Sequence, residues 1–238
     1  KVLGSETLGR AADEGVQIFG GYGFMHEYPV ERAYRDARIQ RIFEGTNEIN
    51  RLLLSGTLFK RAMDGRVGVM EAFAEIDAAV TAGQAPTVDV PAELHAAAGA
   101  LERAKRGAIY VTMKAAMRYM MQMEQEQEFL ADTADMMIDL FAMDSALARA
   151  GAALRAGRAD SGLHALAARL AVWRFLPGVK RAMAEILENA ATGAERDEEL
   201  DRVRAYLGDY HLASTPALHD MASAVIGRGG YPFGVVSG

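Results

Sequence analysis

Residues 41–53 read Arg-Ile-Phe-Glu-Gly-Thr-Asn-Glu-Ile-Asn-Arg-Leu-Leu. They predict a helix start: Thr46 suits an N-cap, and Ile49, Leu52, Leu53 and Leu58 recur at the spacing of one helical face. A helix start offers unpaired backbone N–H groups and the positive end of the dipole, which suit an anionic or carbonyl oxygen. Glu44 stands immediately before the Gly45-Thr46 pair and so hangs beside an oxygen-binding site. A base next to an oxyanion-stabilising group is what proton abstraction alpha to a carbonyl requires. A lone Glu is most often a surface carboxylate. With Ile42 and Phe43 just before it, apolar enclosure is expected, and such enclosure strengthens a carboxylate as a base near neutral pH.

Upstream of this stretch, residues 2–19 predict a helix with Leu3, Leu8, Ala12, Val16 and Phe19 on its apolar face. It stops at Gly20-Gly21-Tyr22-Gly23, where glycines permit positive φ and close backbone approach. A tight helix connection explains these glycines as well as ligand contact does; Gln17, one turn earlier, adds an amide that can donate and accept. Tyr28-Pro29 marks a turn, with Pro29 opening a helix over residues 30–39. Arg32, Arg35, Asp36, Arg38 and Arg41 on this segment read as a solvated, internally paired surface. Arg35-Asp36 is the pair placed to orient the junction at Glu44.

Downstream, the chain is rich in good helix formers and has only six prolines. The expected fold class is all-α: the last helices of one bundle over residues 1–64, a short helix and linker over 65–91, a second antiparallel bundle over 92–226 and a flexible tail over 227–238. The second bundle is expected to hold long helices near 92–123, 129–156 and 161–190 and a shorter one near 195–207. Methionines 113, 117, 120, 121, 123, 136, 137 and 143 read as core filling rather than a cofactor stripe, and Trp173 as a core anchor.

The chain has 238 residues, a net charge of −6 and no cysteine. The acidic balance argues against a nucleic-acid footprint, and the missing thiols exclude disulfides and thiolate catalysis. The five histidines show no metal-ligand spacing, so no metal is assigned. No apolar run approaches the ~20 residues of a membrane span. Lys1 reads as the inside of a helix and residues 1–15 lack a signal-peptide core, so the chain is expected to be a piece of a longer protein and inactive by itself.

Four linked blocks carry a family resemblance: Gln17-Ile18-Phe19-Gly20-Gly21-Tyr22-Gly23-Phe24, Glu27-Tyr28-Pro29-Val30-Glu31-Arg32, Arg35-Asp36 and Ile42-Phe43-Glu44-Gly45-Thr46. In order, spacing and residue type, residues 1–60 resemble the carboxy-terminal signature of acyl-CoA dehydrogenases. Residues 61–238 look like the additional helical domain of the very-long-chain members. The resemblance implies that Glu44 is the catalytic base removing the alpha proton of an acyl-CoA thioester. Its backbone N–H would bond the thioester carbonyl, and Gly45 would be a substrate contact. Thr46 and Glu48 match positions near the FAD diphosphate, and Gln17, Ile18, Phe19, Gly20 and Gly21 match the segment reaching the adenosine side of FAD held mainly by a neighbouring subunit. Position 48 is often Gln in that family, and a Glu there would repel a phosphate. Members that place the base elsewhere carry Ala or Gly at position 44, so Glu44 favours the commoner arrangement.

The implied activity is oxidation of acyl-CoA to trans-2-enoyl-CoA in fatty-acid beta-oxidation. The implied partners are an electron-transferring flavoprotein and further copies of the chain; membrane contact is not favoured. The compartment is expected to be the cytoplasm in a bacterium or the mitochondrial matrix in a eukaryote. The alternatives are a related flavin acyl-CoA oxidase and, in a different class, a helical oligomerisation or docking module from about residue 92 onward.

Overall fold

The computed structural model describes residues 1–234, which fold as helices and their connections. Helix α1, Val2–Phe19, ends where Gly20 turns to φ 60°, and a short 3-10 helix, Gly20–Phe24, follows. Helix α2, Pro29–Ile39, has its proline in the first turn, where the missing N–H costs nothing. Helix α3, Asn47–Met63, starts at Thr46, whose hydroxyl accepts the Ile49 N–H. Helix α4, Val69–Thr81, leads through the linker into five more: α5 His95–Tyr119, α6 Gln127–Arg155, α7 Ser161–Ala190, α8 Gly193–Leu207 and α9 Ser214–Arg228.

The core lies among α5, α6, α7 and α8. Tyr110, Val111, Met136, Met143, Val172, Val179, Met183 and Ile186 are buried there. Alanines 97, 104, 115, 134, 150, 168 and 182 let the helices approach closely. Of the methionine series, Met113, Met136 and Met143 are buried, whereas Met117 and Met120 are exposed. Trp173 departs from its expected core role and is only partly buried. One buried polar link ties α5 to α8: the Tyr110 hydroxyl donates to Glu199, and Arg202 bonds both. Burial, and then that carboxylate, push the Tyr110 hydroxyl up to about 12.

Helices α1–α3 dock on this bundle chiefly through α3 and α6. Phe59 packs on Phe129 at 5.7 Å between ring centroids, and Phe129 on Tyr119 at 5.3 Å. The buried Ser55 hydroxyl donates to the Leu130 carbonyl at 2.6 Å. Arg51 reaches Glu6 of α1 at 2.9 Å and Asp135 of α6 at 2.7 Å, joining three helices.

Several expectations shift. The helix expected through residue 123 stops at Tyr119, because Met120 turns to φ 47° and starts a short 3-10 segment. That turn lets the chain double back so that Tyr119 meets Phe129. The buried side of α1 is Val2, Ser5, Gly9 and Ala12, while Leu8 and Phe19 are exposed. On α3, Ile49 and Leu53 are likewise exposed. The tail expected to be loose from residue 227 begins inside α9, whose only buried residue is Ala217. Beyond α9, Phe233 stacks on His164 at 4.7 Å, Arg149 lies over the same ring, and the Gly234 N–H donates to Asp160. Arg158, and then that N–H, hold the Asp160 carboxyl well below the usual range. Residues 235–238 of that tail lie outside the described residues.

Candidate active site

Between α2 and α3 the chain makes a tight connection. The Ile42 and Phe43 N–H groups donate back to the Ile39 carbonyl, and the Asn47 N–H donates to that of Arg41. Two consecutive residues then adopt left-handed backbone, Glu44 at φ 56° and Gly45 at φ 77°. Glycine takes this conformation without cost, but a side chain there costs about 1–2 kcal/mol. Glu44 is one of two non-glycine residues with positive φ among the described residues, the other being Met120. Strain held at a named polar residue points toward a functional role.

The connection is clamped from both sides. Asn50 Nδ2 donates to the carbonyls of Gly45 at 2.7 Å and Thr46 at 2.9 Å. Lys1 Nζ donates to the Gly45 carbonyl and to Asn47 Oδ1, each at 2.8 Å. The buried Asn47 in turn donates to Ser5 Oγ and Glu6 Oε1. A Cβ at position 45 would lie 3.0 Å from Asn50 Nδ2, so this contact and the φ angle both call for glycine. With carbonyls turned to the clamp, the N–H groups of Glu44 and Gly45 have no acceptor among the described residues. The arrangement therefore offers a carboxylate and two free donors on one short loop, able to hold an oxygen while a proton is taken beside it.

The apolar enclosure expected of Ile42 and Phe43 is not supplied by this chain: both are exposed, and so is Glu44. At the start of α3, Glu48 turns back on its own helix. Its own backbone N–H, and then the Thr46 hydroxyl, hold its carboxyl below the ordinary value. Arg35 bonds Glu31 with both carboxylate oxygens at 2.7 Å, and Arg32 lies 3.6 Å from Asp36. These are surface pairs one turn apart on α2, so Arg35 and Asp36 do not orient the junction.

Gln17, Ile18, Phe19, Gly20 and Gly21 form a second, separate group. Lys1 and, through Asn47, Ser5 and Glu6 hold the Glu44 loop at the start of α1, and Gln17 lies eleven to sixteen residues further along, about 16–24 Å at 1.5 Å per residue. All five residues are exposed, and a Cβ at Gly20 or Gly21 would meet no other atom. Gly23 is the glycine that packing demands: a Cβ there would sit 2.5 Å from the Val16 carbonyl oxygen. Sequence reasoning missed Lys1, Asn47 and Asn50, all of which hold the loop. For Asn47 and Asn50 the only signal was a run of amide and hydroxyl side chains at a helix start, where such groups favour backbone contacts; Lys1 had none.

Two family models, each for an acyl-CoA dehydrogenase C-terminal domain, match residues 1–59 and 103–205. The chain belongs to the acyl-CoA dehydrogenase family. A probable acyl-CoA dehydrogenase of Bacillus subtilis (strain 168) is 39% identical over 207 residues, covering 87% of this chain and 34% of the relative. The mitochondrial very long-chain specific acyl-CoA dehydrogenase of Rattus norvegicus is 34% identical over 175 residues, 66% of this chain and 27% of the relative. A crystal structure of an acyl-CoA dehydrogenase complexed with FAD from Bacillus anthracis superposes with a TM-score of 0.89 at 32% identity, covering 94% of this chain and 38% of that one. The chain thus spans about a third of the length of these relatives.

Proposed function

We propose that this chain is the carboxy-terminal part of a flavin-dependent acyl-CoA dehydrogenase and supplies its catalytic base. The observation that carries this reading is Glu44 in left-handed backbone beside the free N–H groups of its loop. In the parent enzyme the acyl thioester lies against that loop, and the Glu44 carboxylate takes the alpha proton. The Glu44 N–H bonds the thioester carbonyl and steadies the charge that develops on its oxygen. Gly45, without a side chain, leaves room for the acyl chain, and Asn50 and Lys1 keep the loop in register. The cover that excludes water from Glu44 comes from other parts of the parent.

FAD, when bound, accepts hydride from the beta carbon. The exposed Gln17 amide, the open backbone at Gly20 and Gly21 and the exposed Ile18 and Phe19 fit a flat ring system with polar edges. Thr46 fits a diphosphate neighbourhood through its position at the start of α3. Glu48 does not fit a direct phosphate contact, since its carboxylate already occupies that helix start. The proposed assembly is a homo-oligomer, in which the Gln17–Gly21 segment serves an FAD held mainly by a neighbouring copy. The proposed electron acceptor is an electron-transferring flavoprotein, and the proposed pathway is fatty-acid beta-oxidation.

In the parent enzyme, Glu44→Gln is expected to bind FAD as the wild type does and to lose alpha-proton abstraction by 10³-fold or more, on the order of 4 kcal/mol. Bleaching of the flavin absorbance by acyl-CoA in stopped flow measures this. Bleaching at the wild-type rate would remove Glu44 from the role.

A further inference from the structure

The chain enters the Glu44 loop from α2 and leaves it into α3, and the two sides are held differently. On the exit side, Asn50 and Lys1 grip the carbonyls of Gly45 and Thr46. On the entry side, Ile42, Phe43 and Glu44 are exposed, and Arg41 is the part-buried residue before them. The Arg41 guanidinium lies on α1 at Gly9. A Cβ at position 9 would sit 3.0 Å from Nε, 2.8 Å from Cζ and closer still to Nη2. Gly9 is itself buried, so its bare backbone is a seat that the planar head fills.

The seat holds Arg41 by shape. Its Nε is buried with no acceptor among the described residues. Glu6, one turn before Gly9, is already bonded to Arg51 and Asn47. A buried nitrogen without an acceptor costs free energy, so the contact is not explained by stability. The backbone of the same residue closes the loop, because its carbonyl accepts the Asn47 N–H at 3.0 Å. Asn47 in turn donates to Ser5 and Glu6 of α1. Main chain and side chain of Arg41 thus both lead to the first half of α1, three residues before Glu44.

We propose that Arg41 is a positioning residue for Glu44: its guanidinium, seated on Gly9, fixes where the chain enters the loop and so where the carboxylate stands. This rests on Glu44 being the base. Position 9, on another helix, is then a glycine because the loop needs that seat open. A reacting group misplaced by about 1 Å loses on the order of 10²-fold in rate, and a lysine's compact ammonium does not copy the planar head.

Gly9→Ala separates geometry from stability. Its new methyl takes the seat and the flexible Arg41 head swings away, while alanine suits the interior of α1 better than glycine. In the chain itself the thermal midpoint is expected to hold or rise, while the Glu44 and Gly45 amide resonances shift. Arg41→Lys is expected to move the same two resonances. Unmoved amides in both variants overturn the positioning, and so does a midpoint that falls in Gly9→Ala. In the parent enzyme, flavin bleaching at saturating acyl-CoA is expected to slow by about tenfold or more in each single variant, with FAD content unchanged. The double variant is expected to be no slower than the slower single one, since both remove one contact. Effects that multiply, or bleaching at the wild-type rate in both single variants, overturn the proposal. Amides that move while Glu44→Gln still bleaches at the wild-type rate keep the seat and overturn the base.

Discussion

At the residue scale, Glu44 shows the tension between a site and the stability of its fold. Its left-handed backbone costs about 1–2 kcal/mol, whereas glycine there would avoid that cost and lose about 0.5–1 kcal/mol through its freer unfolded chain. Glu44→Gly is therefore expected to leave the chain as stable as the wild type or up to about 1.5 kcal/mol more stable, although it removes the proposed base. Urea unfolding followed at 222 nm checks this, and a clear loss of stability would mean that the Glu44 side chain itself holds the loop. The loop is already held by the carbonyl contacts of Asn50 and Lys1. In the sequence, Glu44, Gly45 and the Thr46 cap were legible because a helix start imposes local rules. Asn50 and Lys1 were not, because their partners are carbonyls that face them only once the connection has turned.

At the scale of elements, most helices were legible from composition and punctuation. Gly20, Pro29 and Thr46 each mark a boundary by a local steric or hydrogen-bonding need. The misjudged elements are those decided from outside. α5 stops at Tyr119 although its helical pattern runs on, because the backbone turn at Met120 brings Tyr119 to Phe129. α9 escaped notice because only one of its residues is buried, which leaves no apolar stripe to read. Arg51 looked like one of many surface arginines, yet it bridges α1 and α6 with its side chain 16% exposed. Arg51→Ala strands two carboxylates, and after allowance for their own exposure it is expected to cost about 1–2 kcal/mol. Chemical denaturation of the variant checks this, and restoring Glu6→Gln in the same chain is expected to recover part of the loss.

At the scale of the molecule, the two bundles meet around a polar cavity of about 360 Å³. Glu6 and Arg10 face it from α1, Arg51 from α3, Asp135 and Asp139 from α6, and Arg174 and Arg181 from α7. Burial first, and then Asp135, push Asp139 up to about 6. Two turns away on α6, burial and then Glu185 push Asp132 up to about 6 as well. In the unfolded chain such carboxyls titrate near 4, so between about pH 4 and 6 the folded state holds protons that the unfolded state has released. Their contribution is whole below about pH 4 and is lost as the pH rises through about 6, on the order of 2 kcal/mol for each group. Asp139→Asn is expected to flatten the fall in stability between pH 4 and 6.5, measured by urea midpoints across that range. A slope equal to the wild type's would show that Asp139 titrates normally.

What the sequence determined by itself was whatever depends on neighbours along the chain. That covers the all-α class, most helix boundaries and the carboxylate–glycine–threonine connection, because caps, prolines and glycines act within a turn or two of themselves. The tertiary structure decided what depends on distance. It set Gln17–Gly21 and Glu44 at opposite ends of α1, left Glu44 without apolar cover from this chain, and engaged Tyr231–Gly234 with α6 and α7. Hydrogen bonds and burial between segments far apart in sequence have no local signature, so they exist only once helices have packed.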